Sequence, residues 1–149
     1  MRLVTARSGA EIGSRGPLGR LLVRGEPGWE LVPELAPRGG EAVVDKPGSG
    51  AFDATDFHHL LVNAGIANLV LVGVTTGVCV HTTAREAADR GFAVLVLDDC
   101  CAEPDPENHH RAMALLRVEG GYIATVGTSE SFLEALCTGA GGPGGCGAD

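Results

Sequence analysis

The sequence is short of aromatic residues, of positive charge and of long apolar runs, and each shortage excludes something. Phe, Trp and Tyr make up 4% of the 149 residues, so the core must be aliphatic. Eleven Lys and Arg face 19 Asp and Glu, giving a net charge of −8 with no basic block. Such a surface repels phosphate backbones and anionic lipid, so nucleic acid and membranes are not expected partners. A small molecule or another protein chain is. No apolar run reaches the ~20 residues of a membrane-spanning helix, and the region after Met1 lacks the apolar stretch of a secretory signal. The five cysteines are odd in number, two are adjacent (Cys100 and Cys101), and none forms a Cys-x-x-Cys pair. Neither a disulfide framework nor a zinc knuckle is indicated, and reduced thiols in a cytoplasmic protein are expected.

What is present is globular composition, 44% apolar and 20% charged, in a length that suits one domain. Residues 1–28 are rich in Gly, Arg and Pro and read as a loop or arm, apart from the apolar run Leu21-Leu22-Val23. From Trp29 the text becomes regular. WELVPEL is a short helix or turn closed by Pro37, and EAVVDK is a strand followed by the loop PGSGAF. TDFHHLLVNAG reads as a helix capped by Thr55 or Asp56 and ended by Gly65. IANLVLVGV is an unbroken aliphatic run, the pattern of a strand buried on both faces of a parallel sheet. TTGVCVHTTAREAADRG passes from a turn into a helix that stops at Gly91. FAVLVLDD is a second apolar strand, DPENHHRAMALLRVEG a helix with acidic residues in its first turn, and GYIATV a last strand before SESFLEAL. This alternation predicts an α/β fold with a parallel sheet, helices on both faces, and a ligand site at the carboxyl ends of the strands. The folded domain is expected over 29–136, with 137–149 a disordered tail.

Two reactive side chains fall just past strand ends, Lys46 after EAVVD and Cys79 in the turn after IANLVLVGV, so topology predicts both on one rim. Cys79 stands where a helix begins, and a helix amino terminus favours a thiolate. The small residues Thr75, Thr76 and Gly77 leave backbone N–H groups to converge on a developing oxyanion. Against this stands the reading of Cys79 as a small buried hydrophobe and Lys46 as a solvated charge. Residue types alone favour this second reading, and the succession of strand, small-residue turn, Cys and helix brings the two to even.

The segments DKPGSGAF and GVTTGVCVHTTAREA, with the spacing between Lys46 and Cys79, resemble the isochorismatase-like cysteine hydrolases, especially their ureido- and biuret-cleaving branch. The likeness runs from about Arg24 to Leu136. It implies a three-layer α/β/α hydrolase acting on C–N bonds of small amide or ureido substrates, and neither cofactor nor metal is expected. The family's amino-terminal strands are lacking, which leaves an apolar strand edge unpaired, so a homo-oligomer is expected. By resemblance, Cys79 is the nucleophile and Lys46 supports its thiolate. The N–H groups of Thr75 and Cys79 are oxyanion donors, Phe52, Thr76 and Glu119 touch substrate, and the Val74–Thr75 peptide is cis.

The sequence also departs from the family. The family's acid–base aspartate lies on an earlier strand and has no counterpart here, so a chain truncated at its amino end, inactive by itself, is expected. Asp45 adjoins Lys46 and points to the opposite face of the strand, so it is no substitute. Gly77 stands where an acidic or amide residue is common, and Glu119 where ureido-cleaving relatives can carry Gln. A competing reading keeps the fold as a non-catalytic binding or oligomerising domain. A dinucleotide-binding domain is disfavoured because no Gly-rich turn follows a strand at the required spacing. The pairs His58-His59 and His109-His110 diverge by about 100° per residue, make no bidentate metal site, and read as solvated helix faces. Cys100 and Cys101 read as packing residues after a strand end.

Overall fold

The computed structural model describes residues 2–3, 23–26 and 29–139. Most of the expected arm over 1–28, and the tail from 140 onward, lie outside the described residues. The chain divides into two compact units, Met1–Ile66 and Ala67–Asp149, each described by itself. A two-stranded sheet belongs to the first unit and a three-stranded sheet to the second, and no ladder joins them among the described residues.

In the first unit, β1 (Arg2–Leu3) pairs in parallel with β2 (Asp45–Lys46), with Arg2 opposite Asp45 and Leu3 opposite Lys46. Arg2–Leu3 is thus a strand inside the stretch read as an arm. Only the last two residues of EAVVDK are strand, since only they have a ladder partner. Within WELVPEL the regular piece is a 3-10 turn over Pro33–Leu35. Helix α1 (Phe57–Asn63) follows Asp56, which makes no side-chain cap. Thr55 does that work instead, its hydroxyl accepting from Phe57 N at 3.3 Å and donating to Ala51 O at 2.6 Å. The helix ends as the sequence predicts. Gly65 takes φ +67° and Ile66 N donates back to Leu61 O at 3.0 Å, a left-handed cap that a side chain would strain.

In the second unit, β3 (Asn68–Val74), β4 (Ala93–Ala102) and β5 (Thr125–Gly127) form a parallel sheet in that order. Connecting them are α2 (His81–Ala88), α3 (Pro106–Leu116) and the short turn α4 (Val118–Gly121), while α5 (Ser129–Gly139) closes the unit. Helix α5 extends through Cys137, Thr138 and Gly139, so these three are helical and not part of a tail. The core is aliphatic. Val94, Val96 and Leu97 of β4 are buried together with Val80, Ala84 and Ala87 on one side of the sequence and Ala112, Met113 and Leu116 of α3 on the other. Asp105 caps α3 by accepting from Glu107 N at 3.0 Å, with Pro106 at the first helical position.

Strand β3 departs from its reading as doubly buried. Its side chains alternate, Leu69 buried while Val70, Val72 and Val74 are 42%, 55% and 68% exposed. It is an edge strand of its sheet. Beyond Leu71 the β3–β4 register jumps: Leu71 lies opposite Val96, but Gly73 lies opposite Cys101. Strand β4 therefore bulges over Leu97–Cys100, and the adjacent cysteines lie inside the strand, not after its end. The bulge also frees Asp98 and Asp99 from strict pairing with β3, and both carboxylates are used elsewhere.

Candidate active site

The lysine loop of the first unit is described by itself. Lys46 is 2% exposed, and its ammonium donates to Gly48 O at 2.8 Å and Ser49 O at 2.7 Å. A buried ammonium needs acceptors, and the loop PGSGAF folds back to supply two carbonyls. Asp45 turns away from it, as strand alternation predicts, and pairs with the guanidinium of Arg24. Phe52 is buried, its ring 5.0 Å from that of Phe57 and 6.4 Å from His58, so within this unit it is a packing residue.

The cysteine turn belongs to the second unit. The Val74–Thr75 peptide is cis, as the resemblance implies. Residues Thr76–Val80 then form a π-helical turn that runs directly into α2, with Cys79 as its fourth residue. The Thr75 carbonyl accepts from Val78 N and from Val80 N, both at 3.2 Å, so hydrogen bonds on either side of Cys79 fix the local backbone. The Cys79 thiol is half-buried. Burial in the strand pushes the Cys101 thiol above its ordinary pKa, and the nearby Cys100, Asp98 and Asp99 act in the same direction. Cys101 is thereby disfavoured as a thiolate.

Two carboxylates support this turn, Glu103 just after β4 directly and Asp98 within β4 through His109. Glu103 Oε2 accepts from Gly77 N at 2.7 Å, so the Gly77 amide, expected to face an oxyanion, is already engaged. A Cβ added at Gly77 would stand 3.3 Å from the same oxygen, so a larger residue here would need the Glu103 carboxylate to shift by a few tenths of an ångström. Thr76 is fully buried, and its Oγ1 lies 2.8 Å from Nδ1 of His109. His109 Nε2 lies 2.8 Å from Asp98 Oδ1, and Arg117 donates to Asp98 Oδ2 at 3.1 Å. Burial alone would raise the Asp98 pKa, but the hydrogen bonds and charges of His109 and Arg117 together bring it below its ordinary value. The Thr76 side chain, expected to touch substrate, is thus committed to this chain of hydrogen bonds. His81, the first residue of α2, has its pKa lowered by burial and then by Arg85, and its buried Nε2 has no hydrogen-bond partner among the described residues.

Glu119 is not brought to the cysteine turn. It adopts φ +53° in α4 and lines a hollow of about 280 Å³ with Arg85, Asp89 and Tyr122, at the carboxyl end of α2. Cys79 precedes the other end of that helix, and ten residues of helical rise correspond to roughly 15 Å. Sequence reasoning missed Glu103, Asp98 and His109. For His109 the signal was available: it lies three, four and seven residues before buried Ala112, Met113 and Leu116, whereas exposed His110 shares helical spacing with Met113 alone. Among the described residues, no group of three or more His, Cys, Asp or Glu side chains could hold a metal ion. No helix there is long and apolar enough to cross a membrane.

With the parallel sheet, the cis peptide and the cysteine turn placed, comparison with known proteins identifies the class. The isochorismatase domain model matches residues 3–131, and the chain belongs to that family. A ureidoacrylate amidohydrolase, RutB, of Acinetobacter baylyi is 38% identical over 119 residues, which are 79% of this chain and 47% of the relative. The chain therefore spans about half the length of the curated relatives it matches. An isochorismatase-like hydrolase from Alkaliphilus metalliredigens superposes with a TM-score of 0.76 at 29% identity, covering 91% of this chain and 69% of that one. N-carbamoylsarcosine amidase from Thermoplasma acidophilum does so with a TM-score of 0.64 at 32% identity, covering 75% and 62%. The fold is accordingly the isochorismatase-like α/β fold with a parallel sheet.

Proposed function

We propose that this chain carries the nucleophile of a cysteine-dependent hydrolase that cleaves C–N bonds in small amides or ureido compounds. The observation that supports this most is a half-buried cysteine in a π-helical turn whose backbone is fixed on both sides, in a chain of the isochorismatase family. Relatives named as a ureidoacrylate amidohydrolase and an N-carbamoylsarcosine amidase favour the ureido class. In the proposed reaction the Cys79 thiolate attacks the carbonyl carbon, and the charge gathers on oxygen, toward the N–H groups of Thr75 and Cys79. Collapse breaks the C–N bond, and the amine or ammonia leaves with a proton. Water then attacks the thioester, the C–S bond breaks, the acid departs and the thiol is regenerated.

Lys46 is proposed to favour the thiolate, and Phe52 to shape the substrate site. A cytoplasmic location and a homo-oligomer complete the reading, the latter supported by the exposed apolar side chains of edge strand β3. The family's acid–base aspartate has no counterpart in this sequence. Hydrolysis by the 149 residues alone is therefore expected to be slow or absent.

The test follows ammonia release from a panel of ureido compounds and simple amides. It uses the chain alone and the chain extended with the amino-terminal segment of a relative, each with and without Cys79→Ser. Turnover by the extended chain that Cys79→Ser abolishes is expected. No turnover from the extended chain on any compound would favour the non-catalytic domain, and full turnover by the 149 residues alone would overturn the role given to the aspartate.

A further inference from the structure

We infer that His109 is a positioning residue for the Cys79 turn, acting through the buried hydroxyl of Thr76. This rests on the reading of Cys79 as a nucleophile.

Asp98, held below its ordinary pKa, is a carboxylate and only accepts, so the His109 Nε2 that faces it at 2.8 Å must carry the hydrogen. In the neutral ring this leaves Nδ1 as an acceptor, and the only hydrogen the facing Oγ1 can offer at 2.8 Å is the Thr76 hydroxyl proton. Arg117 holds the other oxygen of Asp98, so the carboxylate is pinned on both sides and the tautomer is set. A fully buried hydroxyl three residues before Cys79 is thereby fixed in one orientation by groups from β4, α3 and the residue that follows α3.

The π-helical turn explains why such a device is needed. Thr76–Val80 lacks the regular i to i+4 ladder of an α-helix, and its shared acceptor, the Thr75 carbonyl, lies before the turn. Side-chain anchoring at Thr76 and backbone anchoring at Gly77 by Glu103 supply the missing constraint. The rigidity of a nucleophile depends on such supporting contacts, because small misplacements reduce rates steeply.

The experiment measures the rate of Cys79 alkylation by iodoacetamide, located by peptide mapping, with the thermal transition recorded for each variant. Thr76→Val is nearly isosteric and removes the hydroxyl, while Thr76→Ser keeps it. Thr76→Val and His109→Phe should slow Cys79 labelling by about tenfold, the equivalent of one buried hydrogen bond, and Thr76→Ser should retain the wild-type rate. Thr76→Val combined with His109→Phe should be no slower than either alone, since both remove one coupling. Equal rates in Thr76→Val and Thr76→Ser, or additive losses in the double variant, would overturn the inference. A ureido-hydrolysis assay of the extended wild-type chain runs in parallel. If Cys79 labels selectively and responds to Thr76 while no compound is hydrolysed, the hydrolase reading fails and the positioning role stands.

Discussion

Replacing Asp98 with Asn should destabilise the second unit by an amount that can be worked out from its two partners. The carboxylate accepts from His109 Nε2 at 2.8 Å through one oxygen and from Arg117 Nη2 at 3.1 Å through the other. An amide of the same shape accepts through one atom only and presents an NH2 group to the remaining donor. One charge-assisted hydrogen bond is lost, about 1.5–3 kcal/mol for a buried pair. The Asp98 side chain is 35% exposed, so water recovers part of this and about 1–2 kcal/mol is expected. With a urea dependence of roughly 2 kcal/mol per molar, the unfolding midpoint at neutral pH should fall by about 0.7 M. The sign with pH is fixed as well. Because the folded pKa of Asp98 is depressed, its contribution is present above the ordinary carboxylate value and is lost as pH falls through the folded pKa. The gap between wild type and Asp98→Asn should therefore close below about pH 4. Identical midpoints at neutral pH, or a gap that acid leaves unchanged, would refute the reasoning.

His81 gives a second pH window. Its folded pKa lies below the ordinary 6.5 because of burial and Arg85, so it contributes stability above pH 6.5 that is lost as pH falls through the folded pKa. His81→Gln should flatten the fall of the urea midpoint as pH drops below about 6.5, and an unchanged slope would count against the assignment. Leu116 is fully buried in the core of the second unit, and Leu116→Ala should cost about 2–5 kcal/mol in the same assay. A loss under 1 kcal/mol, roughly that of a surface change, would mean that the site is not packed as described. In the first unit, Lys46→Met keeps the length of the side chain but leaves the Gly48 and Ser49 carbonyls without its ammonium, and should cost about 1–3 kcal/mol. A neutral result by thermal unfolding would place Lys46 outside the role of holding its loop.

Much of the fold was legible because its signals are local. The apolar runs of β3 and β4, the left-handed cap at Gly65 and the Asp105 start of α3 each depend on a few neighbouring residues. The exposure of Val70, Val72 and Val74 was not legible, since an unbroken aliphatic run reads as doubly buried whether or not something covers each face. The bulge over Leu97–Cys100 was hidden for a similar reason: FAVLVLDDCC carries no glycine to mark a change of register. In the candidate site, Lys46 and Cys79 were reached through strand ends and resemblance. The Glu103 and His109 grips were not, because each joins residues 26 and 33 positions apart whose proximity only the folded chain creates. Thr76 illustrates the same limit. Its place in the motif suggested substrate contact, while its complete burial commits the hydroxyl to His109.

The central claim is that Cys79 forms a thioester, and trapping that adduct tests it most directly. The chain would be mixed with an activated ester, quenched in acid, and mapped by peptide mass spectrometry. Acylation needs only the thiolate and the oxyanion donors, so a single acyl group should accumulate on Cys79, be released by hydroxylamine, and be absent from that position in Cys79→Ser. Acylation spread evenly over Cys79, Cys100, Cys101 and Cys137, or its confinement to cysteines other than Cys79, would contradict the account.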